Sequence, residues 1–438
     1  MGEVHSMNYV FTHVNLITGE EDRDVIEDMH VYVKDDKIVA LEQGNSPVRD
    51  SYQTVDARGR YLMPGLINLH AHLFGTGKPS KTLGGGRQQK MVVSFASTRL
   101  GGHVLDKMLK ENMEQALYSG VTTVRGVGDL FYSDVRLRDR IEKGTALGPR
   151  LLVSGPAVTV PGGHGDGTFA VTSADPAGIR QLVAQNAKHR VDLIKICVTG
   201  GVMDAKKKGE PGELKMSLEQ TKAACEEAHR LGYKVASHTE SPEGVIVALK
   251  GGVDTVEHGS LLDQEAVELF QERKSALICT LSPALPLASL PPSKTKLNEL
   301  CVYNSRVILD NMVEGVKTAL AHDIPVGLGT DASCPFATQY NMWRELWYFK
   351  TYAGVSNEFA VHTATLKNAQ ILGIDEITGS IAPGKSADLI VLKENPYKDL
   401  RALRSVDAVM VRGRLTDCPK VKKNEEIEAE LDSLMKGL

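Results

Sequence analysis

Cysteine is scarce and scattered. Six occur in 438 residues (Cys197, Cys225, Cys279, Cys301, Cys334 and Cys418), with no Cys-x-x-Cys pair. No disulfide framework can be read from that spacing, so a reducing compartment and a cytoplasmic location are expected. Cys197, Cys225 and Cys279 lie in apolar or helical contexts that suit buried free thiols. No hydrophobic run reaches the roughly 20 residues needed to cross a bilayer. Residues 1–19 lack the basic flank and apolar core of a secretory signal, so no membrane partner is expected. There is no long basic stretch, and the formal net charge is -4. Nucleic-acid binding through bulk electrostatics is thereby excluded. The hydrophobic content of 42% is still ample for a core.

What is present is a change of texture along the chain. Residues 9–16, 31–34 and 37–41 read as short strands, and 387–392 and 406–412 match them at the other end. Between these flanks, short apolar strands alternate with longer amphipathic helices, the pattern of βα units and a parallel sheet. Eight strands are expected there, at 65–70, 121–125, 150–154, 193–197, 234–238, 255–257, 276–280 and 325–329. Helices are expected at 217–231, with Ser217 and Gln220 as a capping box, and at 304–322. The expected fold is α/β: a (β/α)8 TIM-like barrel over residues 63–373, with a small β-sandwich domain built from both termini, 1–62 and 374–416. Residues 417–438, charged and weakly helical, are expected to be a peripheral tail. Long connections at 73–104 (with Gly84-Gly85-Gly86), 155–174, 199–216 and 282–302 mark the expected active face.

The first strand, Gly65-Leu66-Ile67-Asn68-Leu69-His70-Ala71-His72, ends in two histidines one residue apart. Residues i and i+2 of a strand share a face, so both imidazoles can meet one metal ion. Alone, the pair reads better as a loop feature with no ligand. Four further residues give it context. Lys195 lies inside the apolar strand Leu193-Ile194-Lys195-Ile196, where an ammonium is costly unless something satisfies it. His238 ends the fifth strand, His258 follows the sixth, and Asp331 follows the eighth. Each taken singly has a plain reading: a paired lysine, a core histidine, a helix cap for Asp331. Six such groups at the same ends of strands point to a catalytic face.

The residue types suit two metal ions held close together. Such a pair needs a bridging anion. An ammonium cannot bridge, whereas a lysine nitrogen carboxylated by CO2 offers two oxygens, one for each metal. Histidines complete the shells. Asp331 can bind a metal and accept a proton from a bridging water, whose pKa the metals lower. The metals also polarise a substrate carbonyl and stabilise the oxyanion.

With these residues in view, the chain resembles the amidohydrolase superfamily from about residue 8 to residue 415. The segment from Pro64 to His72 resembles the family's first-strand signature. Gly379-Ser380-Ile381-Ala382-Pro383-Gly384-Lys385-Ser386-Ala387-Asp388-Leu389 resembles its return into the small β-domain. The resemblance implies that His70, His72, Lys195 and Asp331 bind one divalent metal and Lys195, His238 and His258 a second, with zinc the expected ion, Lys195 carboxylated and Asp331 the general acid/base. The strand-four segment from Ile194 to Val202, the strand-six segment from Gly252 to Gly259, and Gly162-Gly163-His164-Gly165 resemble the prolidase-like, imidazolonepropionase-related group. That group implies hydrolysis of an amide or peptide bond in a small substrate: a dipeptide such as Xaa-Pro or Xaa-basic, or an N-acyl amino acid.

His164 is read as a substrate-binding residue, against a plain turn histidine. Arg125, at the end of strand two, is read as structural. Lys206-Lys207-Lys208 is read as solvated loop, and the aromatics of 343–352 as a helix packed on the barrel's outside. Glu240, two residues after His238, keeps an alternative open: a mononuclear deaminase or cyclic-amide hydrolase (imidazolonepropionase-like) on the same fold. A homo-oligomer is also an open expectation.

Overall fold

The computed structural model describes residues 8–21, 23–80 and 87–436, with only the backbone of Arg87 and Gln88. The Gly84-Gly85-Gly86 segment lies outside them. The chain opens with β1 (Tyr9–Leu16), β2 (Ile26–Lys34), β3 (Lys37–Gln43), β4 (Gln53–Asp56) and β5 (Tyr61–Pro64). Gly65 alone separates β5 from β6 (Leu66–Ala71), so one extended segment passes from the terminal sheet to the strand that ends in the paired histidines.

After β6 come β7 (Val121–Gly126), β8 (Arg150–Val153), β9 (Ala157–Thr159), β10 (Ala170–Thr172), β11 (Ile194–Cys197), β12 (Val235–Thr239), β13 (Thr255–His258), β14 (Ala276–Cys279) and β15 (Val326–Leu328). They form a parallel three-stranded sheet, β6-β7-β8, and a parallel seven-stranded sheet, β10-β9-β11-β12-β13-β14-β15. Every residue of β6, β7 and β11 to β15 is buried. Burial on both faces explains why these strands read as continuous apolar runs rather than alternating ones.

The third expected strand, 150–154, is β8, and the chain then turns before adding the short strand β9. Gly155, at φ +63, and Pro156 make that turn, so β8 pairs with β7 and β9 pairs with β11. At the other seam the amides of Thr330 and Asp331 donate to His70 O (3.1 and 2.8 Å), and His72 N donates to Ala332 O (3.0 Å). Gly329 permits this approach, because a Cβ there would lie 2.4 Å from His70 Cβ.

The chain closes with β16 (Leu389–Leu392), β17 (Ala408–Val411) and β18 (Arg414–Asp417). Strands from both ends make one sheet in the order β18-β17-β16-β5-β1-β2-β3, with β4 also paired to β1. It surrounds its own core, which includes Phe11, Leu16, Val31, Leu62, Leu389 and Met410.

The helix Leu218–Arg230 has the expected capping box of Ser217 and Gln220. The helix expected at 304–322 begins earlier, at Glu299, where the Asn298 side chain accepts from Cys301 N. The 282–302 connection is largely helical (Leu281–Ser289, Pro292–Thr295), and 73–104 carries the helix Arg87–Ala96 and the start of Arg99–Tyr118. In the helix Met342–Ala353 the aromatics Trp343, Trp347, Tyr348 and Phe349 are buried, and Tyr352 is partly buried.

The tail expected at the periphery docks instead. Its helix Glu425–Met435 buries Ile427, Leu431 and Met435, one apolar stripe at spacing four. Arg344, 1% exposed, pairs with Glu428 (2.9 Å) and Asp432 (2.7 Å) of that helix.

Candidate metal centre

Parallel register carries the predicted residues to one end of the sheets. Cys197 lies opposite His238, and Thr239 opposite His258. Lys195 stands opposite Ala236, two residues before the strand end. His258 (φ 67) and Asp331 (φ 48) both adopt left-handed backbone, rare for residues other than glycine. Such conformations cluster where structure is held for function rather than for local comfort.

Two groups of possible ligand atoms result. In His70, His72 and Asp331 these atoms lie within 4.8 Å of one another; the same holds for His238, Glu240 and His258. Nε2 of His70 and of His72 each lie 3.5 Å from Asp331 Oδ1. The groups adjoin: the His70 and His258 ring centroids are 4.6 Å apart, and those of His238 and His258 are 4.7 Å apart. Lys195 is 1% exposed, and its Nζ has no hydrogen-bond partner among the described residues; neither has Asp331 Oδ1. His70, His72, Asp331, His238 and His258 are thus brought together with Glu240, and the buried Lys195 amine lies close enough to interact electrostatically with His72, His238, His258 and Asp331.

Outer hydrogen bonds orient the rings. His70 Nδ1 donates to Glu257 Oε2 (2.7 Å) and His72 Nδ1 to Gly128 O (2.7 Å), which turns both Nε2 atoms toward Asp331. His238 Nε2 lies 3.2 Å from Gly200 O, its Nδ1 has no hydrogen-bond partner among the described residues, and His258 Nδ1 lies 2.7 Å from Thr280 Oγ1. Glu257, fully buried, also takes Arg125 Nη2 at 2.7 Å on each of its oxygens. Arg125 is thus structural, as read, and it acts on the site through Glu257. The sequence carried a signal for Glu257 that went unused: an acid inside a buried strand, no less anomalous than Lys195.

Electrostatics follow from burial. Desolvation lowers His72 to about 4 and pushes His238 and His258 well below the ordinary imidazole value, aided by neighbouring imidazoles and Lys195. All three are neutral, the state that binds metals. Desolvation also lowers the Lys195 amine. Burial alone raises the Asp331 carboxyl, but His70, His258 and His72 hold it well below the carboxylate range. Burial pushes Glu240 up to about 8.

His164 lies beside this centre. Its ring stacks on His238 (centroids 4.0 Å, 4° between planes), and its Nδ1 contacts Asp204 Oδ2. Burial lowers its pKa, but the Asp204 carboxylate outweighs burial and raises it. Lys206, Lys207 and Lys208 remain at the loop surface, as read.

The sequence matches the Amidohydrolase family over residues 61–416. A candidate prolidase from Bifidobacterium longum has a similar structure: TM-score 0.86, 38% identity, 98% of this chain and 99% of that one covered. A Xaa-Pro dipeptidase solved with methionine in its active site gives TM-score 0.80 and 28% identity over 94% of this chain and all of that one (100%). An ochratoxinase from Aspergillus niger is 26% identical over 408 residues, 85% of this chain and 79% of that protein. The chain belongs to the amidohydrolase family and is a hydrolase of carbon–nitrogen bonds.

Proposed function

We propose that this protein is a binuclear metallohydrolase cleaving an amide or peptide bond in a small substrate: a dipeptide such as Xaa-Pro or Xaa-basic, or an N-acyl amino acid. The observation that carries the reading is the amine of Lys195, buried without a hydrogen-bond partner among the described residues and lying amid His72, His238, His258 and Asp331. Burial favours the neutral amine, the form that attacks CO2 to give a carbamate. A donor set of neutral imidazoles, a carboxylate and a carbamate suits two zinc ions or similar divalent ions. His70, His72, Lys195 and Asp331 would hold one, and Lys195, His238 and His258 the other. Bound there, the ions would supply Lewis acidity to the substrate carbonyl and lower the pKa of water.

The remaining roles belong to the chain. Asp331, kept ionised, takes the proton released by attacking water at a carboxylate oxygen and returns it to the leaving nitrogen. Glu257 and Gly128 O fix the His70 and His72 rings, so the reacting atoms meet a preformed geometry. His164 contacts the substrate beside His238. The three named relatives, two of them prolidase-like and one an ochratoxinase, support an amide or peptide substrate.

The same reading treats the two parallel sheets as one eight-stranded barrel, with β8 and β9 as halves of strand three. It takes the terminal sheet as a sandwich and residues 63–373 as the catalytic domain. The six free cysteines support a cytoplasmic setting, and homo-oligomers remain compatible with it.

A second reading has its own observation. Glu240 is buried beside His238 and His258, with Oε2 unpartnered among the described residues. A mononuclear deaminase or cyclic-amide hydrolase would use such an acid for proton transfer. Metal analysis separates the two: about two ions per chain supports the binuclear site, about one the alternative. Screening the zinc-loaded enzyme against dipeptides and N-acyl amino acids tests the substrate class, and failure to hydrolyse any of them overturns it.

A further inference from the structure

We propose that Asp204 is a positioning residue for His164: by holding Nδ1 of that imidazole it fixes Nε2 as the nitrogen offered to the substrate. The proposal rests on the role given to His164 above and adds the group that sets its orientation.

His164 stands between two glycines in the connection from β9 to β10. Glycine-rich backbone imposes little on a side chain's direction, so other groups must hold the ring. Three do so. His238 lies flat beneath it at 4.0 Å, Phe169 meets it edge-on at 5.5 Å, and Asp204 Oδ2 takes Nδ1. The stack and the edge contact are satisfied equally after a 180° flip about the Cβ–Cγ bond, which keeps the ring plane but exchanges each nitrogen with a ring carbon; only the Asp204 contact decides which way the nitrogens face. Among the described residues no partner is recorded for Nε2, and the side chain keeps 21% of its surface exposed, open to a ligand.

Asp204 is itself held. Its Oδ2 accepts from Gly201 N (3.0 Å), and its own amide donates to Gly201 O (3.0 Å). The bare Gly201 lets the ring lie against this turn: a Cβ there would sit 3.3 Å from His164 Cε1 and 3.2 Å from Glu240 Oε2. A carboxylate anchored by backbone on one side and gripping an imidazole on the other is the arrangement that orients functional histidines. The two residues come from different connections, after β9 and after β11, so neither sequence neighbourhood discloses the pairing.

A double-mutant cycle tests the assignment, using the zinc-loaded enzyme and whichever dipeptide or N-acyl amino acid the wild type turns over fastest. Asp204→Ala is expected to lower kcat/KM by about 10- to 100-fold with metal content unchanged. In the His164→Ala background the same substitution is expected to cost less than about twofold, because a residue acting through another has nothing left to act on. Equal losses in both backgrounds overturn the proposal. So does wild-type activity in Asp204→Ala. If Asp204→Ala does not fold, Asp204→Asn carries the cycle with the loop volume kept. A crystal structure of the variant gives a readout free of turnover: a His164 ring rotated from its wild-type orientation supports the proposal, and an unmoved ring overturns it. Absence of any hydrolysed substrate in the wild type defeats the proposed function instead, and the crystallographic arm still decides Asp204.

Discussion

Replacing Glu257 with glutamine isolates the group that ties the buried scaffold to the candidate metal centre. The carboxylate is fully buried and accepts from three neighbours: Arg125 on both oxygens, Thr255 on Oε1 and His70 Nδ1 on Oε2. An amide has one oxygen and one NH2. Whichever way it sits, the NH2 faces donors on one side, and two of these contacts fail. Arg125, 4% exposed, then keeps its charge without a counter-charge. Breaking a buried pair in this way costs about 3–5 kcal/mol. With the NH2 on the Oε2 side, His70 Nδ1 loses its acceptor and the ring is free to take the other tautomer, worth about a 10- to 100-fold fall in metal affinity. Burial raises the Glu257 carboxyl, but Arg125 and His70 pull it far below its ordinary value. A depressed carboxyl stabilises fully above its unfolded pKa of about 4.3 and loses that contribution only as pH falls below it, so neutral pH is the right condition. Urea unfolding of the metal-free variant measures the first effect, and metal retained after dialysis against a competing chelator measures the second. A folded Glu257→Gln protein with wild-type metal affinity, in which a crystal structure places the amide NH2 against His70 Nδ1, refutes the reasoning that this acid orients His70.

Four other outcomes are expected. Lys195→Ala should lose one or both metals by elemental analysis and fall at least about 100-fold in kcat, because the ligand the two ions would share is gone and with it the Lewis acidity they would supply; full activity contradicts the carbamate bridge. Asp331→Asn should lower kcat by about 100-fold or more while the protein stays folded, general acid/base groups contributing about 10²–10⁴-fold; an unchanged rate removes it from proton transfer. In the metal-free protein Glu240, raised to about 8 by burial, keeps a proton that the unfolded chain releases near pH 4.3, so its contribution is whole below that pH and lost as pH rises toward 8. Glu240→Gln should therefore gain on the wild type by about 1.4 kcal/mol per pH unit across that window, and parallel stability curves argue against it. Ending the chain after Lys423 strips Arg344 of both carboxylates and exposes the sites of Ile427, Leu431 and Met435, so the melting temperature should drop clearly; an unchanged melting curve shows the helix to be dispensable.

The sequence by itself determined the alternation of strands and helices and the residues at the strand ends, because burial on both faces of a parallel strand forces a continuous apolar run against which His70, His72 and Lys195 stand out. The capping box at Ser217 was legible for a similar reason: its bonds are local. The docking of the last helix was not. Its apolar stripe has three members, and its acids find Arg344 about 84 to 88 positions away. Which groups brace the centre was decided only by tertiary structure. Glu257 reaches His70 across 187 positions, and Asp204 reaches His164 across 40. A strand's two-residue period states which side a residue faces. It does not state which distant side chain waits there, since that depends on register between strands and on loops whose paths no local rule specifies.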